Sequence, residues 1–418
     1  MGVDTVFDSD HSPLMMRNTK LPHAPCQRGL KGFHFQPMDH SLPSNPSAPG
    51  LDPMLFRQLV RWLLLWCGRL SVALMLLWTV ALALLALGFR YLGESNLCTA
   101  FLLFLPPVVW LLPGVVIWPV TLLLRWRAAL VLGAAALLIV GLSSGWRPGT
   151  APIPVSKDQR GSDVLVILTN NRGQGGGHSL RPFKNLIQPD LMAFQESSAR
   201  ASTYLSDPGY GEFQHGESVG EFTLLSRFPV IPGRLLSWSR GKTTGGFTYA
   251  ARFEVDWNGR QIAVYVVHLR SPREALLGLR WGGFLRGIPL PLEGWQERAN
   301  KETAFWLDQL AMAEDLEGHI SSDPLPCIIA GDFNAPHLGT IYRQLSRKLK
   351  DAHAEAGFGW GFTFPGETRN PLAFGGPWLR IDHVLVDWHW SPEVCWTEES
   401  RKSQHRAVAA SLRWRQGS

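Results

Sequence analysis

The sequence predicts an α+β domain built on packed sheets, carried behind a segment of long apolar helices. Three observations predict it. Uncharged apolar runs fill residues 70–89, 97–124 and 128–146. From residue 163 onward the pattern changes to short β-type runs separated by turn residues. Sustained helical spacing within that region is confined to residues 297–316. Many strands with few helices indicate sheets packed on one another.

Taken in order, residues 1–54 are rich in Pro, His, Ser and Asp without an apolar period, and read as a disordered cytoplasmic tail or an over-extended translation start. Residues 55–146 read as a membrane segment of about three transmembrane helices. Each uncharged run has about the 20 residues needed to cross a ~30 Å hydrocarbon core at ~1.5 Å per residue. A soluble helix of that length normally carries a polar stripe, and none of the three does. The first run begins at residue 70 and is followed by two more, which does not fit a cleavable signal. Pro106, Pro107, Pro113 and Pro119 interrupt the middle run, which is therefore expected to be kinked or partly re-entrant. Arg57, Arg61 and Arg69 precede the first run, and Arg125 and Arg127 are expected in a tight turn between the second and third. Basic residues near span ends favour the cytoplasmic side, so the C-terminal domain is expected outside it, against the contrary Arg90 and Arg147.

Residues 147–160 carry three prolines and suit a linker, and residues 161–418 form the folded domain. Strands are expected at 164–168, 191–194, 221–225, 327–330, 381–386 and 407–412, with a hairpin joining 247–257 to 261–268 through Asn258-Gly259. The helix at 297–316 is expected to carry Phe305, Leu307, Leu310 and Met312 on one side. The net charge of +6 partly reflects the juxtamembrane arginines, so it does not by itself argue for a nucleic-acid surface. The five cysteines show neither metal-site nor redox spacing.

Polar residues at the ends of buried strands carry the chemistry. The run 164–171 ends in Asn171, the run 188–196 in Glu196, and the run 266–268 in His268. The Gly-Asp-Phe-Asn run at 331–334 contributes Asp332 and Asn334, and Asp382 and His405 follow. In-line attack on a phosphodiester needs an aligned water and donors for charge accumulating on phosphoryl oxygens, and such a set can supply both.

This ordered series, over residues 163–412, resembles the endonuclease/exonuclease/phosphatase superfamily of DNase I-like nucleases, inositol-polyphosphate phosphatases and neutral sphingomyelinases. The resemblance implies a four-layer α/β sandwich, two mixed sheets face to face with helices outside. It also implies that Glu196 is the main Mg²⁺ ligand (Mn²⁺ being possible), with Asn171 beside the metal or the phosphate. Asp332 would orient or deprotonate water, Asn334 would bond a phosphoryl oxygen, Asp382 would pair with His405, and His268 would be a second phosphate-side imidazole with Glu221 as partner. One departure stands out: the family's closing Ser-Asp-His is Ser403-Gln404-His405 here, which removes a carboxylate near the metal.

The expected function is a membrane-anchored, Mg²⁺-dependent phosphodiesterase or nuclease acting on nucleic acid or phospholipid. The alternative is a catalytically weakened domain that binds a phosphorylated ligand or partner at the membrane. The partners implied are the phosphodiester and the bilayer, and no protein partner is legible. The basic, apolar segment 276–292 is open to lying in the membrane interface or packing on the domain. His383 should pack away from Asp382, the glycines at 175–177 and His178 suit a turn, Gly241-Lys-Thr243 is not a nucleotide loop, and His337 and His353 are expected at the surface.

Overall fold

The computed structural model describes residues 52–149, 153–173, 179–239, 246–273, 275–276, 295–366, 376–399 and 401–415. The readings of 1–51, of 175–178, of 241–243 and of 277–292 fall outside the described residues.

Among the described residues, two helices are long and apolar enough to cross a membrane: α1 (Pro53–Tyr91) and α3 (Val108–Ser143). Between them α2 (Leu97–Leu103) is short, with Asn96 capping it, and it stops before Pro106 and Pro107. The backbone of α3 leaves helical geometry at Arg125 (φ −148°, ψ 59°). There the helix folds back. The Trp118 indole N–H donates to Ala129 O at 3.2 Å, whereas eleven residues along a straight helix span about 16 Å. The first arm packs antiparallel on α1: Gly68 touches the Arg125 side chain, Thr121 Oγ1 donates to Ser71 O at 3.2 Å, and Trp78 Nε1 donates to Trp110 O at 3.0 Å. Gly114 admits the Trp78 ring where a Cβ would lie 2.3 Å from it. Leu77, Leu84, Val115, Val116, Leu137 and Leu138 point outward and are exposed.

The folded domain contains two six-stranded sheets. The first orders β11 (Trp390–Thr397), β12 (Val408–Trp414), β1 (Val164–Asn171), β2 (Leu191–Gln195), β4 (Phe222–Ser226) and β3 (His215–Val219). The second orders β5 (Val230–Trp238), β6 (Phe247–Trp257), β7 (Arg260–His268), β8 (Cys327–Asp332), β10 (Asp382–Val386) and β9 (Lys350–Asp351). Both are mixed, since β1–β2 and β7–β8 run parallel while their other neighbours run antiparallel.

Alternation along the strands feeds separate cores. Leu165, Ile167, Val264, Val266, Ile328 and Val384 meet between the sheets. Val166, Leu168 and Met192 face outward onto Ile187 of α4 (Arg181–Ile187) and Tyr204 of α5 (Ala201–Leu205). Tyr265, Val267 and Ile329 face Met312, Ala313 and Leu316 of α6 (Trp295–Ser322) and Ile341 of α7 (Thr340–Ser346). Helix, sheet, sheet, helix is the four-layer sandwich. Because both faces of the central strands are covered, those strands read as unbroken aliphatic runs.

Some local expectations shift. In α6 the buried stripe runs through Trp306, Gln309, Ala313, Leu316 and Ile320, with Leu307 exposed. Of the four residues expected on one side, Met312 is buried and Phe305 and Leu310 are half-buried, while Leu307, two positions from Phe305, turns to the exposed face. His353 is buried, 3% exposed, and His337 is half-buried, although both read as surface residues. The Asn258-Gly259 hairpin forms, with both residues at positive φ.

Gly331 adopts φ +154°, and a Cβ there would lie 2.0 Å from Val267 O on the parallel neighbour strand. At Gly259 (φ +81°) nothing lies within 4 Å of that position. Gly331→Ala is therefore expected to destabilise the full chain by about 2–4 kcal/mol, and Gly259→Ala by about 1 kcal/mol. Thermal melts of the two variants decide this, and equal losses would contradict it.

Candidate active site

Register brings the site together. His268 at the end of β7 pairs with Asp332 at the end of β8, and Asp332 pairs with Asp382 at the start of β10. In the other sheet Asn171 pairs with Gln195, and Glu196 follows immediately. His405 precedes β12. Parallel neighbours end together, so both sheets deliver polar side chains to one edge of the sandwich. Glu196 (φ 50°) and Asn334 (φ 46°) hold left-handed backbone just past their strands, a cost of order 1 kcal/mol each that clusters at functional sites.

The Asp332 carboxylate is at the centre. It is 1% exposed. Its Oδ1 accepts the Asn334 backbone N–H at 2.8 Å, and its Oδ2 accepts Nδ2 of Asn171 at 3.0 Å and Nδ2 of Asn334 at 3.2 Å. Two imidazoles approach the same Oδ2, His405 Nε2 at 3.7 Å and His268 Nε2 at 3.8 Å. The far nitrogen of each ring is held by another carboxylate. His405 Nδ1 meets Asp382 Oδ2 at 3.0 Å, and His268 Nδ1 meets Glu221 Oε1 at 2.9 Å.

These contacts decide the charges. Burial alone would strip the proton from His405, but Asp382 and Asp332 outweigh it and push its pKa up to about 9. Burial likewise opposes charge on His268, yet Glu221, Asp332 and Glu196 hold its pKa above the ordinary value. Burial pushes Asp332 upward, against the pull of His405 and His268.

Every residue expected at the site is brought together here, including Glu221. The two amides use their hydrogens in an unexpected way. Asn171 Nδ2 bonds both Glu196 (3.2 Å) and Asp332, while its oxygen accepts the Gly173 N–H at 2.9 Å. Asn334 Nδ2 bonds Leu269 O at 2.9 Å as well as Asp332. In this arrangement both amides clamp carboxylates. Gln404 is exposed, and its side chain lies against Gly173.

The donor set suits a hard divalent cation. Among the described residues no Lys or Arg pairs with Glu196, Asp332 or Asp382, and Asp382 Oδ1 is buried without a hydrogen-bond partner. Ligand atoms of Asp332, Asp382 and His405 lie within 4.8 Å of one another. Asp332 and Asp382 are each 1% exposed, whereas Glu196 is half-buried and is the accessible carboxylate of the three.

Behind the site lies a buried network that has no local sequence signal. Arg380 Nη1 donates to Asp351 Oδ2 at 2.6 Å and to His383 Nδ1 at 3.0 Å. Arg380 only donates, so the His383 proton sits on Nε2, which reaches Ala335 O at 3.3 Å. Burial and the nearby guanidinium lower the His383 pKa to about 3, keeping it neutral. Thr363 Oγ1 accepts the Asp382 N–H at 3.3 Å, and Phe364 packs against the His405 ring.

A sequence model of the Endonuclease/Exonuclease/phosphatase family matches residues 158–405. No curated protein matches the chain. Solved structures similar to it include a humanized D. rerio TDP2 with 14 mutations (14% identity, TM-score 0.41, 60% of this chain and 99% of that one). An endonuclease/exonuclease/phosphatase family protein from Bacteroides thetaiotaomicron is similar at 17% identity and TM-score 0.39, over 60% of this chain and 95% of that one. So is a variant of the 3′ phosphatase NExo from Neisseria bound to product DNA hairpin, at 14% identity and TM-score 0.40, over 60% of this chain and 100% of that one.

The His405–Asp382 pair has a pH signature. Because the folded-state pKa of about 9 exceeds the unfolded value, its contribution is complete below about pH 6.5 and is lost as pH rises through about 9. The fall in Tm caused by Asp382→Asn is thus expected to be largest near pH 6 and to shrink by about pH 10. A fall that does not vary over that range would contradict the ion pair.

Proposed function

The chain belongs to the Endonuclease/Exonuclease/phosphatase family, and from that premise we propose that it is a metal-dependent phosphodiesterase anchored in a membrane by its N-terminal helices. The observation that carries the reading is the convergence of two carboxylate-held imidazoles on one buried oxygen of Asp332.

A phosphodiester seated at that edge meets two Nε2–H groups that can donate to phosphoryl oxygens as negative charge builds there. Their Nδ1 partners fix the ring orientation, so little reorganisation accompanies the reaction. Asp332 is the acceptor for the proton of the attacking water, aligned by the amides that clamp it. His405, charged at neutral pH, can also protonate the leaving oxygen. Glu196 would hold Mg²⁺ or Mn²⁺, with Asn171 orienting its carboxylate. Such an ion, when bound, supplies a Lewis acid to the phosphoryl group. Gln404 contributes an amide at this rim where a carboxylate would add charge, which favours a single ion.

The anchoring part rests on the helices. Their outward faces are apolar and exposed, a surface suited to lipid. Arg69 and Arg125 lie at one end of the bundle, about 30 Å along α1 from Arg90 and the folded domain. That separation matches a hydrocarbon core and supports a domain on the side away from the arginine clusters.

The full chain in micelles is expected to hydrolyse bis(p-nitrophenyl) phosphate with Mg²⁺, and Glu196→Ala or His405→Ala to lower kcat by about 100-fold. Wild-type turnover no higher than that of the two variants, in Mg²⁺ and in Mn²⁺, would end the hydrolase reading for this substrate type. A panel of DNA, RNA, sphingomyelin and inositol phosphates then assigns the substrate. For topology, a phosphatase reporter that works only outside the cytoplasm, fused after Ser418, is expected to be active. A silent reporter beside a cytoplasmic one that works would reverse the orientation.

A further inference from the structure

The connection between α1 and α2 is docked into the folded domain at the loop that follows Asn334. Glu94 is 1% exposed. Its Oε2 accepts the backbone N–H of Thr340 and, at 3.4 Å, of Ile341, where α7 begins. Thr340 Oγ1 donates to Leu92 O at 3.2 Å, and Arg343 donates to Phe89 O at 2.9 Å. On the same loop His337 Nε2 meets Ser144 O, at the end of α3, at 3.1 Å. Nearby, Trp378 Nε1 donates to Phe104 O at 3.1 Å, four residues before Asp382.

Three glycines make this seam closer than any side chain allows. A Cβ on Gly93 would lie 2.3 Å from Thr340 Oγ1, one on Gly145 2.4 Å from His337 Nε2, and one on Gly339 1.9 Å from Glu94 Oε1. Gly93 and Gly145 also hold positive φ.

The loop 334–341 is thereby pinned along its length. Asn334 is tied to Leu269 O, Ala335 O to His383, His337 to Ser144 O, and the N–H groups of Thr340 and Ile341 to Glu94. The near end of this loop donates two of the hydrogen bonds that hold Asp332. We propose that Glu94 is a positioning residue: through the 334–341 loop, the N-terminal helices set the placement of Asn334 and Asp332. The activity part of this inference rests on the hydrolase reading above, and the clamp itself does not.

The test uses the full chain in micelles as wild type, E94A and E94Q, with two readouts. The first is hydrogen–deuterium exchange. E94A is expected to speed exchange at 335–341 and leave β1 and β8 as in wild type, while E94Q, whose amide oxygen still accepts, stays protected. The second is Mg²⁺-supported turnover of bis(p-nitrophenyl) phosphate. E94A is expected to lower kcat about tenfold with KM within about twofold, and E94Q to recover most of it. An unchanged kcat in E94A overturns the proposal, as does a loss that falls on KM or one that E94Q does not relieve. Unchanged exchange at 335–341 also overturns it, and so does faster exchange spread through β1 and β8, which would make Glu94 a general folding residue. If wild type itself shows no turnover, the hydrolase reading falls while the exchange comparison still decides the clamp.

Discussion

A carboxyl group almost wholly removed from water, that of Asp332, is the constraint around which this molecule is organised. Desolvating such a group costs several kcal/mol unless donors replace the lost hydration. Asp332 has three N–H donors within 3.2 Å and two imidazoles just beyond. None of these groups adjoins it by accident of chain order except Asn334. Asn171 comes from the opposite sheet, and His268 and His405 from either side.

That arrangement tolerates little backbone freedom. The rows His268–Asp332–Asp382 exist because β7, β8 and β10 pair in one register, and a one-residue slip would turn the carboxylates to the other face. Register is in turn held by strands buried on both sides, so that a slip would trade one core for another. Gly331 allows β7 and β8 to close just before the site. The Arg380–Asp351–His383 network then braces the segment on either side of Asp382 and reaches across to Ala335.

How far the sequence discloses this depends on the range of the interaction. The strand-end residues are legible because period and polarity are local: an aliphatic run ending in Asn171 or in His268 announces both a buried strand and a polar group held at its end. The Asn258-Gly259 turn is legible for the same reason. Glu221 as the partner of His268 is only loosely suggested, since the pairing spans 47 residues. The amide orientations of Asn171 and Asn334 follow from hydrogen-bond competition that no motif encodes. His353 and His337 read as surface residues because neither ends an aliphatic run, while their surroundings in space are Asp351, Phe358 and the end of α3. The α6 stripe is misread where aromatic and aliphatic residues stand on both sides of the helix. The proline-broken middle run foreshadows irregular helix, and the reversal at Arg125 is legible as the arginine pair that separates two uncharged runs.

The seam at Glu94 bears on modularity. Hydrophobic anchors are commonly treated as interchangeable, since lipid reads length and apolarity and little else. Here the segment also carries hydrogen-bond acceptors, at Phe89, Leu92, Glu94, Phe104 and Ser144, that the folded domain uses. Under the anchoring proposed above, a foreign apolar segment of equal length would leave the α7 N–H groups and the His337 ring without these acceptors. Transplanting this domain between proteins therefore means moving residues 89–145 with it, glycines included.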